Sequence, residues 1–265
     1  MKLAFIGGGV MGEAIIAGVL KKQLASTRDI SVCEIVPARR QYLADTHGVA
    51  VTDEASKATA GADTIVLAVK PQEFASAAKS LAGLAPAQTV MSIMAGVKIT
   101  TIQSALKHDA VVRAIPNTPA QIGEGMTVWT ATAAVSERAR TAVAGVLSVL
   151  GREIYVAEEK YIDMATAVSS SGPAYVFLVI EAMIDAAVHI GLRRDMAVPM
   201  VLQTVLGSAR YAQETGKHPA ELRNQVTSPG GTTTEGLQVL EDAAVRAAFM
   251  EAIQAAYEKA KELGG

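Results

Sequence analysis

Six residues near the N-terminus, Gly7-Gly8-Gly9-Val10-Met11-Gly12, constrain this chain more than any other feature. They follow an apolar strand, residues 3–6, and open a helical stretch over residues 13–22. The spacing is G-x-G-x-x-G. In that frame Gly7 permits a tight turn, Gly9 lets the backbone approach a pyrophosphate, and Gly12 lets helix and strand pack closely. A helix beginning there presents free N–H groups and a partial positive charge to phosphates. A glycine-rich packing turn would also use these letters. The succession of strand, motif, helix and second strand is what favours a dinucleotide site.

The second strand, residues 30–35, carries Glu34 near its end, roughly where an acid meets the ribose hydroxyls in such folds. A carboxylate there favours NAD and repels the 2′-phosphate of NADP. Arg39 and Arg40 follow one helical turn on, and arginines pair with phosphate. The two signals conflict, and a solvated helix start accounts for the arginines equally well.

Further apolar segments at 49–52, 64–69, 89–94, 111–115 and 126–129 alternate with helical ones, including 39–46. Continuous apolar strands in β-α-β order predict a parallel sheet covered by helices on both faces. After the segment GREIYV (151–156) strand signals stop. The expectation is an α/β Rossmann domain over residues 1–160, followed by an all-α domain over residues 161–265. Pro173 and Gly191 bracket an apolar helix, Pro199 sits near the start of the next, and residues 232–263 form two final helices. Tyr175, Val176, Leu178, Val179, Met183 and Ile184 cover more than one face of the first of these. All-round apolarity implies burial, and about a hundred residues of helix cannot bury so much alone. A homo-oligomer follows; the alternative is a core helix of a monomer.

With 24 Lys plus Arg against 26 Asp plus Glu, the formal charge is −2, which gives no electrostatic case for nucleic acid or an anionic membrane. The longest apolar run, residues 174–192, contains Glu181 and Asp185, which argues against a membrane span. The single Cys33 cannot form an internal disulfide and has no metal-ligand pattern around it, so no metal is expected. The N-terminus lacks the continuous apolar stretch and cleavage site of a signal peptide. A cytoplasmic protein is the plain reading.

An alcohol dehydrogenase needs a general base. His47, His108, His189 and His218 stand on helix or loop segments, are expected to lack a carboxylate partner, and read as surface or packing residues, as Trp129 reads as a packed strand residue. Lys70 ends a strand and precedes Pro71, which places it at the crevice where parallel strands end, facing cofactor, substrate or only solvent. In the second half, Ser228-Pro229-Gly230-Gly231-Thr232-Thr233-Thr234-Glu235 makes a tight loop and then a hydroxyl-rich helix start. Thr232 or Thr233 can cap that helix. Exposed N–H groups after two glycines suit a carboxylate or phosphate.

Together these features resemble the pyrroline-5-carboxylate reductase family over nearly the whole chain. The resemblance rests on FIGGGVMGEA (5–14), LAVKPQ (67–72), SIMAGV (92–97), RAIPNTPAQIGEGMT (113–127), AVSSSGPAYVFLVIEAMIDAAVHIGL (167–192) and, most specifically, VTSPGGTTTEGLQVLE (226–241). It implies a small-molecule substrate, the cyclic imine 1-pyrroline-5-carboxylate, reduced to proline with NADPH or NADH. It also implies interlocked dimers or rings of dimers. Gly7, Gly8, Gly9, Val10, Met11, Gly12 and Glu34 would contact the cofactor, with Ala68, Val69, Lys70, Pro71, Ala95 and Gly96. Ser228 and the N–H groups of Gly231 and Thr232 would hold the substrate carboxylate, and Thr233 would bond the ring nitrogen. The catalytic pair would be Thr233 and Ser228. Ser170 stands where the family usually has glycine, and VTDEAS (51–56) lacks the asparagine many members carry near the cofactor ribose. A β-hydroxyacid dehydrogenase would place a lysine on the first long helix of the second half, and residues 174–187 have none. A non-catalytic NAD-sensing protein has no use for the Ser-Pro-Gly-Gly-Thr loop.

Overall fold

The chain begins with strand β1 (Leu3–Ile6), whose four residues are all buried. Its pleat sends alternate side chains to opposite faces. Leu3 and Phe5 join one apolar cluster with Ile15, Ile16 and Val19, while Ala4 and Ile6 join another with Phe74, Leu81 and Ile102. A strand buried on both faces needs helices on both, and the following elements supply them. These are α1 (Val10–Lys21), β2 (Ile30–Cys33), α2 (Pro37–His47), β3 (Ala50–Thr52), α3 (Ala55–Thr59), β4 (Thr64–Leu67), α4 (Phe74–Lys79), β5 (Thr89–Ser92) and α5 (Ile99–Leu106). After them come β6 (Val111–Ile115), β7 (Gly125–Ala131), α6 (Glu137–Leu147), β8 (Gly151–Tyr155) and α7 (Lys160–Ala165). This computed structural model describes residues 1–81 and 83–264.

The eight strands lie in the order β3-β2-β1-β4-β5-β6-β7-β8. The chain therefore moves outward from β1 in one direction, then resumes at β4 on the other side. That reversal opens a crevice at the C-terminal ends of β1 and β4, where ligands bind in such sheets. The expected all-parallel sheet needs one correction, because β7 runs antiparallel to β6. Only a short 3-10 turn (Thr118–Ile122) joins the two, ended by Gly123 at φ +77°, and antiparallel neighbours need no crossover helix. The sheet then returns to parallel pairing between β7 and β8 through α6.

Two compact units emerge. The first holds Met1–Ser171 together with the chain from Ala256 onward; the second is Gly172–Ala255. The first unit continues past residue 160 because α7 packs on the sheet, with Ile162 fully buried against Ile115 and Val128. Beneath α7 the guanidinium of Arg113, 1% exposed, pairs with Glu159 at 2.8 Å and Asp163 at 2.7 Å. Glu159 also accepts the Ile99 N–H at 2.8 Å, so one cluster joins β6, α5 and α7. A π-helical turn, Thr166–Ser170, follows α7 and contains Ser170.

The second unit is helical. It contains α8 (Gly172–His189), α9 (Arg194–Thr215), α10 (Pro219–Gln225), α11 (Thr232–Asp242) and most of α12 (Val245–Leu263). The short α10 is not among the helices expected from the sequence. Pro199 is accommodated in the second turn of α9, and Gly216 (φ +62°) ends that helix. No residue of α8 is buried within the chain; Phe177 is 60% and Leu178 65% exposed. The helical run Lys160–His189 is long and apolar enough to cross a membrane by length and composition alone. Glu181 and Asp185 lie in its last turns.

Candidate active site

The glycine loop turns where β1 ends. Gly7 has φ +96°, a conformation that favours glycine, and its N–H donates to the Cys33 carbonyl at 2.8 Å. A Cβ on Gly7 would lie 2.7 Å from the Ala68 carbonyl oxygen and 3.1 Å from Val69. One on Gly12 would meet the Gly7 carbonyl oxygen at 2.9 Å. Gly9 is different: a Cβ there meets nothing within 4 Å. Gly9 is also the N-cap of α1, and no side chain caps that helix. The first N–H of the helical ladder is that of Glu13, bonded to the Gly9 carbonyl. An open cradle beside uncapped N–H groups fits a pyrophosphate, so the residues present suit a dinucleotide. Val10 and Met11 form the first turn of α1, with Val10 exposed.

The carboxylate of Glu34, just past β2, reaches this loop. It accepts the Gly8 N–H at 2.9 Å with one oxygen and the Val36 N–H at 2.9 Å with the other. The arginines are engaged and are not a solvated helix start. Arg39 donates Nε to the Gly8 carbonyl at 2.6 Å, pairs with Glu13, and stacks over Tyr42. Arg40 donates to the carbonyls of Glu34 and Ile35 and pairs with Asp53 at 3.3 Å. His47 lies 3.0 Å from Glu13, which corrects the expectation that no histidine has a carboxylate neighbour. Thirty-four residues separate the two, a partnership that local sequence does not display. Burial pushes the Glu13 carboxyl up, yet hydrogen bonds with His47, Arg39 and Tyr42 outweigh it and hold the group below its ordinary range. Burial, followed by the charge of Glu34, pushes the Cys33 thiol up, which leaves it a packing residue.

Thus Gly7, Gly8, Gly12, Glu34, Ala68 and Val69 come together at the switch in strand order. Lys70 and Pro71 continue from β4 as an exposed turn at the same sheet end. Ala95 and Gly96 follow β5; Gly96, at φ +72°, is closely approached by Leu263 from the last turn of α12. Asn117, past the end of β6, was not singled out by sequence. Its Nδ2 donates to the Ser169 carbonyl at 3.2 Å and its Oδ1 accepts the Met126 N–H at 2.9 Å. It therefore ties the π turn to β7. Trp129 is buried in the sheet and donates to Glu153.

In the second unit, Ser228, Gly231, Thr232 and Thr233 gather at the start of α11. The N-cap is Gly231, and no side chain caps the helix. That corrects the expectation that Thr232 or Thr233 would do so. Gly230 takes φ +68° and Gly231 donates back to the Ser228 carbonyl at 3.0 Å, closing a turn. A Cβ on Gly231 would lie 2.4 Å from the Ser228 hydroxyl, so a side chain there would force that hydroxyl to move. Of the three threonines, Thr234 turns its hydroxyl inward to the Ser228 carbonyl at 2.8 Å. Helix N–H groups, a serine hydroxyl and two threonine hydroxyls remain on one short segment.

A family model described as pyrroline-5-carboxylate reductase dimerisation matches residues 159–263. A second, described as NADP oxidoreductase coenzyme F420-dependent, matches residues 2–96. The pyrroline-5-carboxylate reductase of Synechocystis sp. is 43% identical, covering 100% of this chain and 98% of that protein. This chain belongs to the pyrroline-5-carboxylate reductase family. Among solved reductases of the family, that of Coxiella burnetii superposes with a TM-score of 0.92 at 34% identity, covering 100% of this chain and 98% of the other. The Plasmodium falciparum enzyme, solved with NADP bound, gives 0.90 at 30% identity over 100% and 98%. The reductase fold is a Rossmann-type sheet followed by an all-helical dimerisation domain, and the chain forms a homo-oligomer.

Proposed function

We propose that this protein reduces 1-pyrroline-5-carboxylate to L-proline with NADH or NADPH, the last step of proline synthesis, in the cytoplasm. The observation that carries the reading is the segment 228–233, where a helix start that no side chain caps stands beside the hydroxyls of Ser228, Thr232 and Thr233. Exposed N–H groups balance a carboxylate. Ser228 with the N–H of Thr232 would hold the substrate carboxylate, and Thr233 would orient the ring nitrogen. The Gly231 N–H donates to the Ser228 carbonyl and would reach the carboxylate only by sharing that bond. When bound, the nicotinamide supplies a hydride. The protein's contribution is to place that donor and the imine carbon together, because an iminium is already electrophilic and needs position more than a strong acid. The cofactor contacts would be Gly7 to Gly12, Glu34, Ala68 to Pro71, Ala95 and Gly96.

The same proposal divides the labour at residues 1–160 and 161–265. It assigns the apolar face of α8 to a second copy of the chain, as a dimer or a ring of dimers. The acidic Glu181 and Asp185 set that face against lipid, and the net charge of −2 offers nothing to nucleic acid. Oxidation of NADH and of NADPH, followed at fixed enzyme with 1-pyrroline-5-carboxylate, tests the reading. Imine-dependent oxidation with proline as product is the expected result. Its absence with both nucleotides would remove the proposal.

A further inference from the structure

The two sequence signals at the nucleotide site oppose each other, an acid after β2 and a pair of arginines on α2. Their side-chain partners separate them. Glu34 is not free to swing away, because Gly8 N–H and Val36 N–H each hold one of its oxygens at 2.9 Å. A carboxylate accepts about four hydrogen bonds, so acceptor capacity remains for a vicinal ribose diol. Both arginines are spent. Arg39 is fastened to the Gly8 carbonyl and Glu13, and Arg40 to two carbonyls and Asp53. The residues following Glu34 are Ile35, 73% exposed, and Val36, exposed too. A phosphate pocket needs donors at such positions, and these side chains have none.

We infer that Glu34 sets cofactor choice in this chain, accepting the adenosine ribose diol of NADH and rejecting the 2′-phosphate of NADPH. The inference rests on the nucleotide site of the function proposed above and narrows it. A dianionic phosphate near a fixed carboxylate is repelled, and freeing Arg39 to neutralise it means breaking its bonds to Gly8 and Glu13. The discrimination is therefore built from a repulsive element as well as an attractive one. Like charges a few ångströms apart repel, and more strongly near a protein surface than in bulk water. The expected discrimination is on the order of tenfold or more in relative affinity.

Equilibrium titration of the intact protein with NADH and with NADPH, without imine, gives the two dissociation constants and their ratio. Wild type is expected to bind NADH at least about tenfold more tightly, with the gap narrowing as salt screens the repulsion. Glu34→Gln and Glu34→Ser should each pull the ratio towards unity. The ratio is the protected readout, because a variant that merely disturbs the glycine loop weakens both nucleotides alike. Wild type that binds NADPH as tightly as NADH overturns the inference, as does a ratio unmoved in both variants. If neither nucleotide binds, the nucleotide site and this inference fall together. Binding in the expected ratio by a protein that does not reduce 1-pyrroline-5-carboxylate sinks the proposed reaction and leaves the inference standing.

Discussion

At the scale of single residues, the site separates groups the fold consumes from groups it leaves available. Gly9 is the clearest case, since the space a side chain would fill there is open. Gly9→Val should leave the protein folded, with an unchanged circular dichroism spectrum, while titration with NADH or NADPH shows binding lost. Unimpaired binding would reduce the motif to a packing turn. Thr233 and Thr234 make a second contrast. Thr233→Ala should lower turnover of the imine on the order of tenfold or more with nucleotide affinity unchanged, because a positioned hydrogen bond at the reacting centre is lost. Thr234→Val instead removes a bond inside the turn and should cost about 1 kcal/mol of stability, read from the denaturation midpoint. Wild-type turnover in Thr233→Ala would take that hydroxyl out of the mechanism. The sequence displayed the glycines by their spacing and the threonines as a run. It could not say which hydroxyl turns inward, since Thr234 finds its acceptor only once Gly230 and Gly231 have turned the chain.

Elements were legible where periodicity or punctuation encodes them. β1 and β6 appear at the expected residues, and α2 covers the helix expected over 39–46 with two residues more at its start and one at its end. The direction of β7 was not legible, because apolar runs carry no polarity and only the brevity of the 3-10 connection decides it. Nor was the π turn Thr166–Ser170, whose offset ladder leaves no hydrophobic signature. Long-range ion pairs were equally hidden, and two of them now carry expectations. Arg113 is buried between Asp163 and Glu159, and removing one partner of such a cluster strands a charge. Asp163→Ala should destabilise towards the lower end of roughly 3–5 kcal/mol, because Glu159 remains. A urea midpoint at fixed protein concentration measures it. Glu13 gives a pH dependence. Its folded-state carboxyl is held below the ordinary 4.5, so its stabilising effect is complete above that value and is lost as pH falls through the folded one. The stability gap between wild type and Glu13→Gln should therefore close on acidification. A gap constant from pH 7 to pH 3 would show that His47 and Arg39 do not stabilise the charged form.

At the scale of the whole molecule, the sequence anticipated an excess of apolar helix, and the structure locates it. An 18-residue helix with no residue buried in its own chain cannot be a stable surface in water. Met200 and Leu206 on α9 and Met250 on α12 are exposed as well. The match to a dimerisation domain supports the cover proposed above, a second copy of the chain. Such an interface resembles a domain core divided between two chains, and so runs to thousands of Å². Obligate homodimers often have no stable folded monomer, which ties folding to concentration. The thermal midpoint should therefore rise with protein concentration. Light scattering from micromolar down to nanomolar protein should show a mass of about 55 kDa, twice the 27.5 kDa chain, or a multiple of it. Replacing Leu178 and Phe177 together by aspartate should unfold the helical unit as well as separate subunits, because nothing within the chain then rewards its helices. A monodisperse, active species at 27.5 kDa, with a midpoint independent of concentration, would require α8 to be covered from within a single chain.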